Sequence, residues 1–314
     1  MNNIDTIYGR QVRLLVRLLP IIDTEKCFAL KGGTAINLFY RDLPRLSIDI
    51  DLLYILMENR EEALNNIKAA LARISDRIRS TLKGSTVVNT TEHQENSLCL
   101  LVESDGVRVK IELSPVIRGC VFPPVRMAVK EEVENLFGYA EIQVASLPDL
   151  YAGKMCAALD RQHPRDLFDI KFLLENEGLT EDLRKTFLVF LISHHRPINE
   201  LLAPNLKDIR GIYETEFVSM ARTDVPVEEL EAVRERMIDV IHQSLTSEEK
   251  QFLLSFKNKQ PDWQLLGTAN ADELAQLPSV RWKLINLQKL NEAKHQALYE
   301  KLKSVLLPGG PSSV

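Results

Sequence analysis

Long apolar runs are missing from this chain: none of its 314 residues lies in a stretch approaching the roughly 20 apolar residues that a bilayer crossing needs. The opening Met1-Asn2-Asn3-Ile4-Asp5-Thr6 lacks the basic and then apolar order of a secretory leader, so a cytoplasmic protein with no membrane partner is expected. Cysteine is scarce. Cys27, Cys99, Cys120 and Cys156 form no Cys-x-x-Cys pair, which argues against a zinc ribbon or a disulfide framework and leaves reduced, structural thiols. Histidine offers no ligand spacing either. His93, His163, His242 and His295 are isolated, and the adjacent His194 and His195 are expected to diverge, so histidine-centred catalysis is not expected. Positive charge is not in excess: the net charge of -5 argues against a surface coated for nucleic acid. It leaves room for local clusters. Arg73, Arg77, Arg79 and Lys83 read as a solvated helix face, and Lys154, Arg161, Arg165 and Lys171 form a second group.

What is present is the composition of a soluble globular protein, 45% hydrophobic and 26% charged, at a length that suits two domains. Helical spacing of apolar residues predicts a helix over 9–19 and a long one from about Glu58 to Leu82, with Leu64, Ile67, Leu71, Ile74 and Ile78 on one stripe. Leu46 to Ile55, rich in isoleucine and of strand length, is read as a strand. Thr86 to Thr91, Ser97 to Glu103 and Val107 to Leu113 read as an antiparallel set. In the last of these, Val107, Val109, Ile111 and Leu113 alternate with Arg108, Lys110 and Glu112, so Glu112 is expected to point away from the core. Ser146-Leu147-Pro148-Asp149 is a helix start, with a capping serine, proline in the first turn and an acid three residues on. Beyond it almost everything reads as helix, broken by Pro164, Pro197, Pro204, Pro226, Pro261 and Pro278. The expected architecture is α/β: residues 1–145 with a small mixed sheet, a helical domain over 146–307 and a disordered tail at 308–314.

Two features carry chemistry. Gly32-Gly33-Thr34 lies between an apolar run and a helical pattern, where a turn can offer bare backbone N–H groups to an anion, with the Thr34 hydroxyl beside them. Asp49 and Asp51 sit two apart on a strand and so face one side. Paired carboxylates repel unless a cation lies between them, and a hard divalent ion with oxygen ligands suits phosphoryl and nucleotidyl transfer. Aspartate is poorly suited to strand interiors, yet both lie among Ile48, Ile50, Leu52 and Leu53, a mismatch that favours function over a plain solvent face.

Lys31-Gly32-Gly33-Thr34, then Arg45-x-Ser47-x-Asp49-x-Asp51, then Lys154 with Arg165-Asp166-Leu167-Phe168-Asp169, resemble the AbiEii/AbiGii toxin family, within the polymerase-beta type of nucleotidyltransferase. The resemblance spans residues 31 to 169. It implies a polymerase-beta-type nucleotidyltransferase domain followed by helices, and a metal-dependent toxin of an abortive-infection or toxin-antitoxin module, paired with an antitoxin protein. Related toxins add nucleotides to the acceptor end of tRNA. By carry-over, Gly33 and Thr34 hold the nucleoside triphosphate, with Lys31, Gly32, Arg45 and Ser47 in the same binding set. Asp49 and Asp51 hold Mg2+, and Glu112 stands as the third carboxylate, assisting the metal or acting as base for the attacking hydroxyl. Lys154 is a point charge able to reach a phosphate across a cleft between the domains, among the small residues Ala152, Gly153, Ala157 and Ala158. The resemblance adds Asp166 to the catalytic set. Its position in a helix's first turn is already explained by the helix dipole, and a pairing of Asp169 with Arg165 by helical spacing. Arg45 and Arg118 read as basic groups near the acidic strands. Two other readings stay open: the same chemistry on a protein or small-molecule acceptor, and an inactive nucleotide-binding module.

Overall fold

The computed structural model describes residues 6–90 and 98–307. The strand ends expected at Thr91 and Ser97, His93 and the tail expected from 308 onward lie outside the described residues. Two compact units emerge, one formed by Met1–Leu150 with Thr215–Asp224, the other by Tyr151–Glu214 with Val225–Val314.

The first unit opens with α1 (Ile7–Ile22), whose apolar residues recur at helical spacing, so that Val12, Leu15, Leu18, Leu19 and Ile22 are fully buried. There follow β1 (Phe28–Lys31), the short helix α2 (Gly32–Ala35), which continues into a wider π turn over Ile36–Tyr40, and β2 (Asp49–Tyr54). Helix α3 (Arg60–Thr81) is capped by Asn59, whose side chain accepts the Glu62 N–H. Next come β3 (Thr86–Asn89), β4 (Cys99–Ser104), β5 (Val107–Arg118), β6 (Val125–Ala128), α4 (Glu131–Phe137) and β7 (Glu141–Val144).

The seven strands form one mixed sheet in the order β3-β4-β5-β2-β1-β7-β6. β3, β4 and β5 pair antiparallel, as their alternating pattern predicts. β2 runs parallel to β5 and antiparallel to β1, and β1 runs parallel to β7. The strand expected from Leu46 is shorter than its composition suggests. Leu46 instead donates its N–H to Met220 O at 2.8 Å, Pro44 O accepts from Arg222 and Thr223, and Arg45 forms an isolated bridge with Ala221. A segment remote in sequence therefore takes the hydrogen bonds that would have extended β2.

The second unit is helical. Helix α5 (Leu147–Arg161) has its first turn in the first unit and continues into the second, whose other elements are α6 (Pro164–Asn176), α7 (Glu181–Ser193), α8 (Ile198–Leu202), α9 (Arg210–Ile212), α10 (Val227–Ser244), α11 (Ser247–Lys257), α12 (Ala271–Gln276), α13 (Pro278–Gln288) and α14 (Glu292–Leu306). Ser146 accepts the Asp149 N–H, as its capping position requires. The Asp149 carboxylate does more than complete a first turn: it also accepts the backbone N–H groups of Val121 and Phe122, anchoring the chain after β5. No helix among the described residues is long and apolar enough to cross a membrane.

Candidate active site

Alternation along β2 puts Ile50 and Leu52 in the core, while Asp49 is exposed and Asp51 half-buried on the opposite face. β5 follows the same rule, with Ile111 inside and Lys110 and Glu112 outside. The parallel register sets Asp49 beside Lys110 and Asp51 beside Glu112. One face of two adjacent strands thus carries all three carboxylates named from the sequence, together with an ammonium group that sequence reasoning left unassigned.

Lys31, Gly32 and Gly33 lie next to this face because β1 pairs with β2, with Lys31 opposite Asp51. Gly32 has φ +76°, and a Cβ built there would collide with Asp51 Oδ2. Only glycine satisfies both the backbone and the close approach. At Gly33 a Cβ would stand 2.6 Å from Arg45 Nη2 and 3.1 Å from Ser47 Oγ, so the glycine backbone rests directly on those two side chains. Arg45 is buried and donates to Leu46 O at 3.0 Å. Thr34 is buried, its hydroxyl donating to Asp49 O at 2.5 Å and lying 3.0 Å from Ser47 Oγ. Its visible work is to brace the aspartate strand against the glycine turn. The Lys31 side chain is half-buried and has no hydrogen-bond or ion-pair partner among the described residues.

Arg118 is placed elsewhere. It is buried at the far end of β5, opposite Tyr54, with Asn59 O 3.4 Å from its Nη1, so the full length of β2 separates its register position from Asp49.

In the second unit, Lys154 on α5 is buried and bonds Asp166 at 2.7 Å and Asp169 at 3.1 Å, both on α6. Arg161 closes on the same Asp166 carboxylate. Burial alone would raise the Asp166 pKa. The Lys154 ammonium and the Arg161 guanidinium outweigh it and hold the carboxyl well below the ordinary range. Asp169, expected to pair along its own helix with Arg165, reaches Lys154 as well. Of the cationic cluster expected here, Lys171 turns to Glu175 and Glu229 instead. In the first unit, Arg73 and Arg77, read as a solvated face, both engage Glu25.

Divalent-metal chemistry can be weighed against two donor sets. Asp49, Asp51 and Glu112 offer oxygen ligands on one strand face, the chemistry a hard ion requires. Among the described residues, however, the one trio of acidic, histidine or cysteine groups whose ligand atoms lie within 4.8 Å of one another is Asp160, His194 and His195. The two histidines do not diverge as expected: their rings stack at 4.3 Å, with both Nε2 atoms facing Asp160 Oδ2 at 3.8 and 3.6 Å. This trio does not fit a metal. His194 Nδ1 accepts the Arg196 N–H at 3.2 Å, so neutral His194 carries its proton on Nε2, the atom a metal would need. Arg196 also occupies the other Asp160 oxygen. The strand carboxylates are the set that fits.

A family model described as Nucleotidyl transferase AbiEii toxin, Type IV TA system, matches residues 13–286. A comparison with curated proteins finds no match. Among solved structures, the chain is similar to MenT4, a nucleotidyltransferase toxin from Mycobacterium tuberculosis H37Rv, with a TM-score of 0.61. The two are 14% identical, and the match covers 90% of this chain and 93% of that one. At that identity the likeness is one of fold.

Proposed function

The chain belongs to the AbiEii nucleotidyltransferase toxin family, and from that premise we propose that it transfers a nucleotide from a nucleoside triphosphate to the 3′ end of tRNA, using Mg2+ held by Asp49, Asp51 and Glu112. The observation that carries the reading is the packing of the Gly32–Gly33 backbone against Asp51 on one side and Arg45 and Ser47 on the other, which sets a glycine turn beside paired carboxylates.

In the proposed reaction an acceptor hydroxyl oxygen bonds to the α-phosphorus, the bond from that phosphorus to the bridging oxygen breaks, and pyrophosphate leaves. The metal, when bound, neutralises charge on the phosphorus oxygens. Lys31 and the backbone at Gly32 and Gly33 receive the triphosphate, Lys31 because its ammonium is uncommitted and lies across from Asp51. Arg45, Ser47 and Thr34 act from beneath, fixing the turn on the strand. Glu112 takes the proton of the attacking hydroxyl. Lys154 and Asp166 keep the catalytic assignment that the family resemblance gives them, with Lys154 acting from its ion pairs with Asp166 and Asp169. A type IV toxin-antitoxin family implies a partner antitoxin, which we place in a neighbouring reading frame, with both proteins acting in the cytoplasm.

Incubation of the purified protein with Mg2+, each labelled triphosphate and total tRNA, beside Asp49→Asn, tests this. Label on tRNA that needs both Mg2+ and Asp49 is the expected result. Label on protein, or pyrophosphate release only with cell extract, would move the acceptor to a protein or a small molecule. Unchanged transfer by Asp49→Asn would overturn the site.

A further inference from the structure

The face shared by β2 and β5 carries an unusual arrangement of charge. Asp49 and Asp51 on one strand lie beside Lys110 and Glu112 on the other, in that order. Like charges directly opposite each other on neighbouring strands repel, and Asp51 and Glu112 are such a pair. The structure relieves the repulsion internally: Lys110 Nζ closes on Glu112 Oε2. Correspondingly, Asp49, Asp51 and Glu112 do not gather their ligand atoms within 4.8 Å of one another, although the register makes them neighbours. Both partners of the ion pair remain accessible, with side-chain exposures of 44% for Lys110 and 48% for Glu112. An ion pair this exposed is weak and readily exchanged for a better partner.

We propose that Lys110 is a positioning residue that keeps the Glu112 carboxylate from gathering with Asp49 and Asp51 until a divalent cation takes it over, freeing the ammonium to face the incoming triphosphate. The inference rests on the reading of Asp49, Asp51 and Glu112 as the metal ligands. The three carboxylates outnumber the ammonium groups of Lys110 and, on the neighbouring strand, Lys31, so this face stays net negative, a setting that favours a divalent cation. With the cation in place Lys110 becomes surplus, and the negative charge nearest to it is then that of the substrate. The geometry permits the exchange because Lys110 and Glu112 project from the same side of one strand, two residues apart. Neither has to move backbone to change partner. Lys110 is thus expected to act on metal affinity chiefly through its pair with Glu112, and the double variant below separates that route from the charge it presents to Asp49.

The test is titration of the full-length protein with Mn2+ alone, following the electron paramagnetic resonance signal of the free ion, for the wild type, Lys110→Met, Lys110→Arg, Glu112→Gln, Lys110→Met/Glu112→Gln and Asp49→Asn. Removing the competitor is expected to tighten Mn2+ binding on the order of 2- to 5-fold in Lys110→Met. Lys110→Arg, which keeps the ion pair, should resemble the wild type. The double variant should bind no more tightly than Glu112→Gln, because without the carboxylate there is nothing for Lys110 to withhold. A second titration, with a non-hydrolysable triphosphate at saturating Mn2+, should show weaker nucleotide binding by Lys110→Met. Mn2+ binding that depends on Asp49 but is not tightened in Lys110→Met would overturn the role of Lys110 and leave the metal site standing. Absence of any binding that depends on Asp49 would overturn both.

Discussion

Gly32 and Asp51 are neighbours that leave no room for a methyl group: a Cβ on Gly32 would overlap Asp51 Oδ2, and φ at Gly32 is +76°. Gly32→Ala is therefore expected to displace the aspartate as well as strain the turn. Displacing a catalytic group by about 1 Å can cost on the order of 100-fold in rate. We expect a loss of that size in kcat/KM for nucleotide transfer. Gly84 provides the control, since it has φ +82° and nothing within 4 Å of its would-be Cβ. Gly84→Ala should lower the melting temperature through backbone strain alone and leave transfer unchanged. Equal losses of activity in the two variants would show that strain, and not the contact with Asp51, matters.

The Lys154–Asp166–Asp169 cluster separates stability from catalysis. Breaking a buried ion pair by removing one partner costs about 3–5 kcal/mol, and Asp166 is fully buried with Lys154 and Arg161 upon it. Asp166→Asn should destabilise by that order, read from denaturant unfolding at pH 7. The folded-state pKa is depressed, so the stabilisation is present above the unfolded value near 4 and is lost as pH falls below it. Asp166→Asn should lack that acid limb. Lys154→Met, assayed per folded molecule, distinguishes the roles: a catalytic lysine predicts a loss of transfer of at least about 100-fold, comparable to loss of other transition-state charge contacts. A purely structural one predicts normal turnover with a lowered melting temperature.

Local patterning made the centre of the sheet legible. The alternation in Val107 to Leu113 placed Glu112 outside, and the misfit of Asp49 and Asp51 among isoleucines marked the face they share. β1, β6 and β7, of four residues each, went unnoticed, whereas the equally short β3 was read within a longer β-branched run, Thr86 to Thr91. The partners of these residues were beyond reach for a different reason. Neither the docking of Met220 to Thr223 on Pro44 and Leu46 nor the meeting of Lys154 with Asp169 follows from spacing along one element, since both depend on tertiary packing. Lys110 was visible as a polar residue on the right face. Its significance depends on the β2–β5 register, which a single sequence does not encode in any local signal. The stacked His194 and His195 are a similar case: adjacency in an extended strand would send the rings apart, but here the chain leaves α7 at His194 and turns so that both face Asp160.

That turn makes the second unit sensitive to acid. Burial is the main influence on His194 and lowers its pKa, the neighbouring His195, Lys283 and Arg196 lower it further, and Asp160 opposes them, leaving it at about 4. An unfolded histidine titrates near 6.5. Between those values the unfolded chain binds a proton that the folded chain refuses, so stability falls as pH drops from about 6.5 to about 4, by at most about 3 kcal/mol at one unit per 1.36 kcal/mol and by less where solvent screens the partly open ring. The sign follows from the depressed folded value: the contribution is intact above pH 6.5. His194→Asn offers an oxygen where Nδ1 accepts the Arg196 N–H, and so retains the turn without the titrating ring. Denaturant midpoints measured from pH 7.5 to pH 4.5 should decline steeply for the wild type and less steeply for His194→Asn. Parallel curves would assign the acid sensitivity to another group.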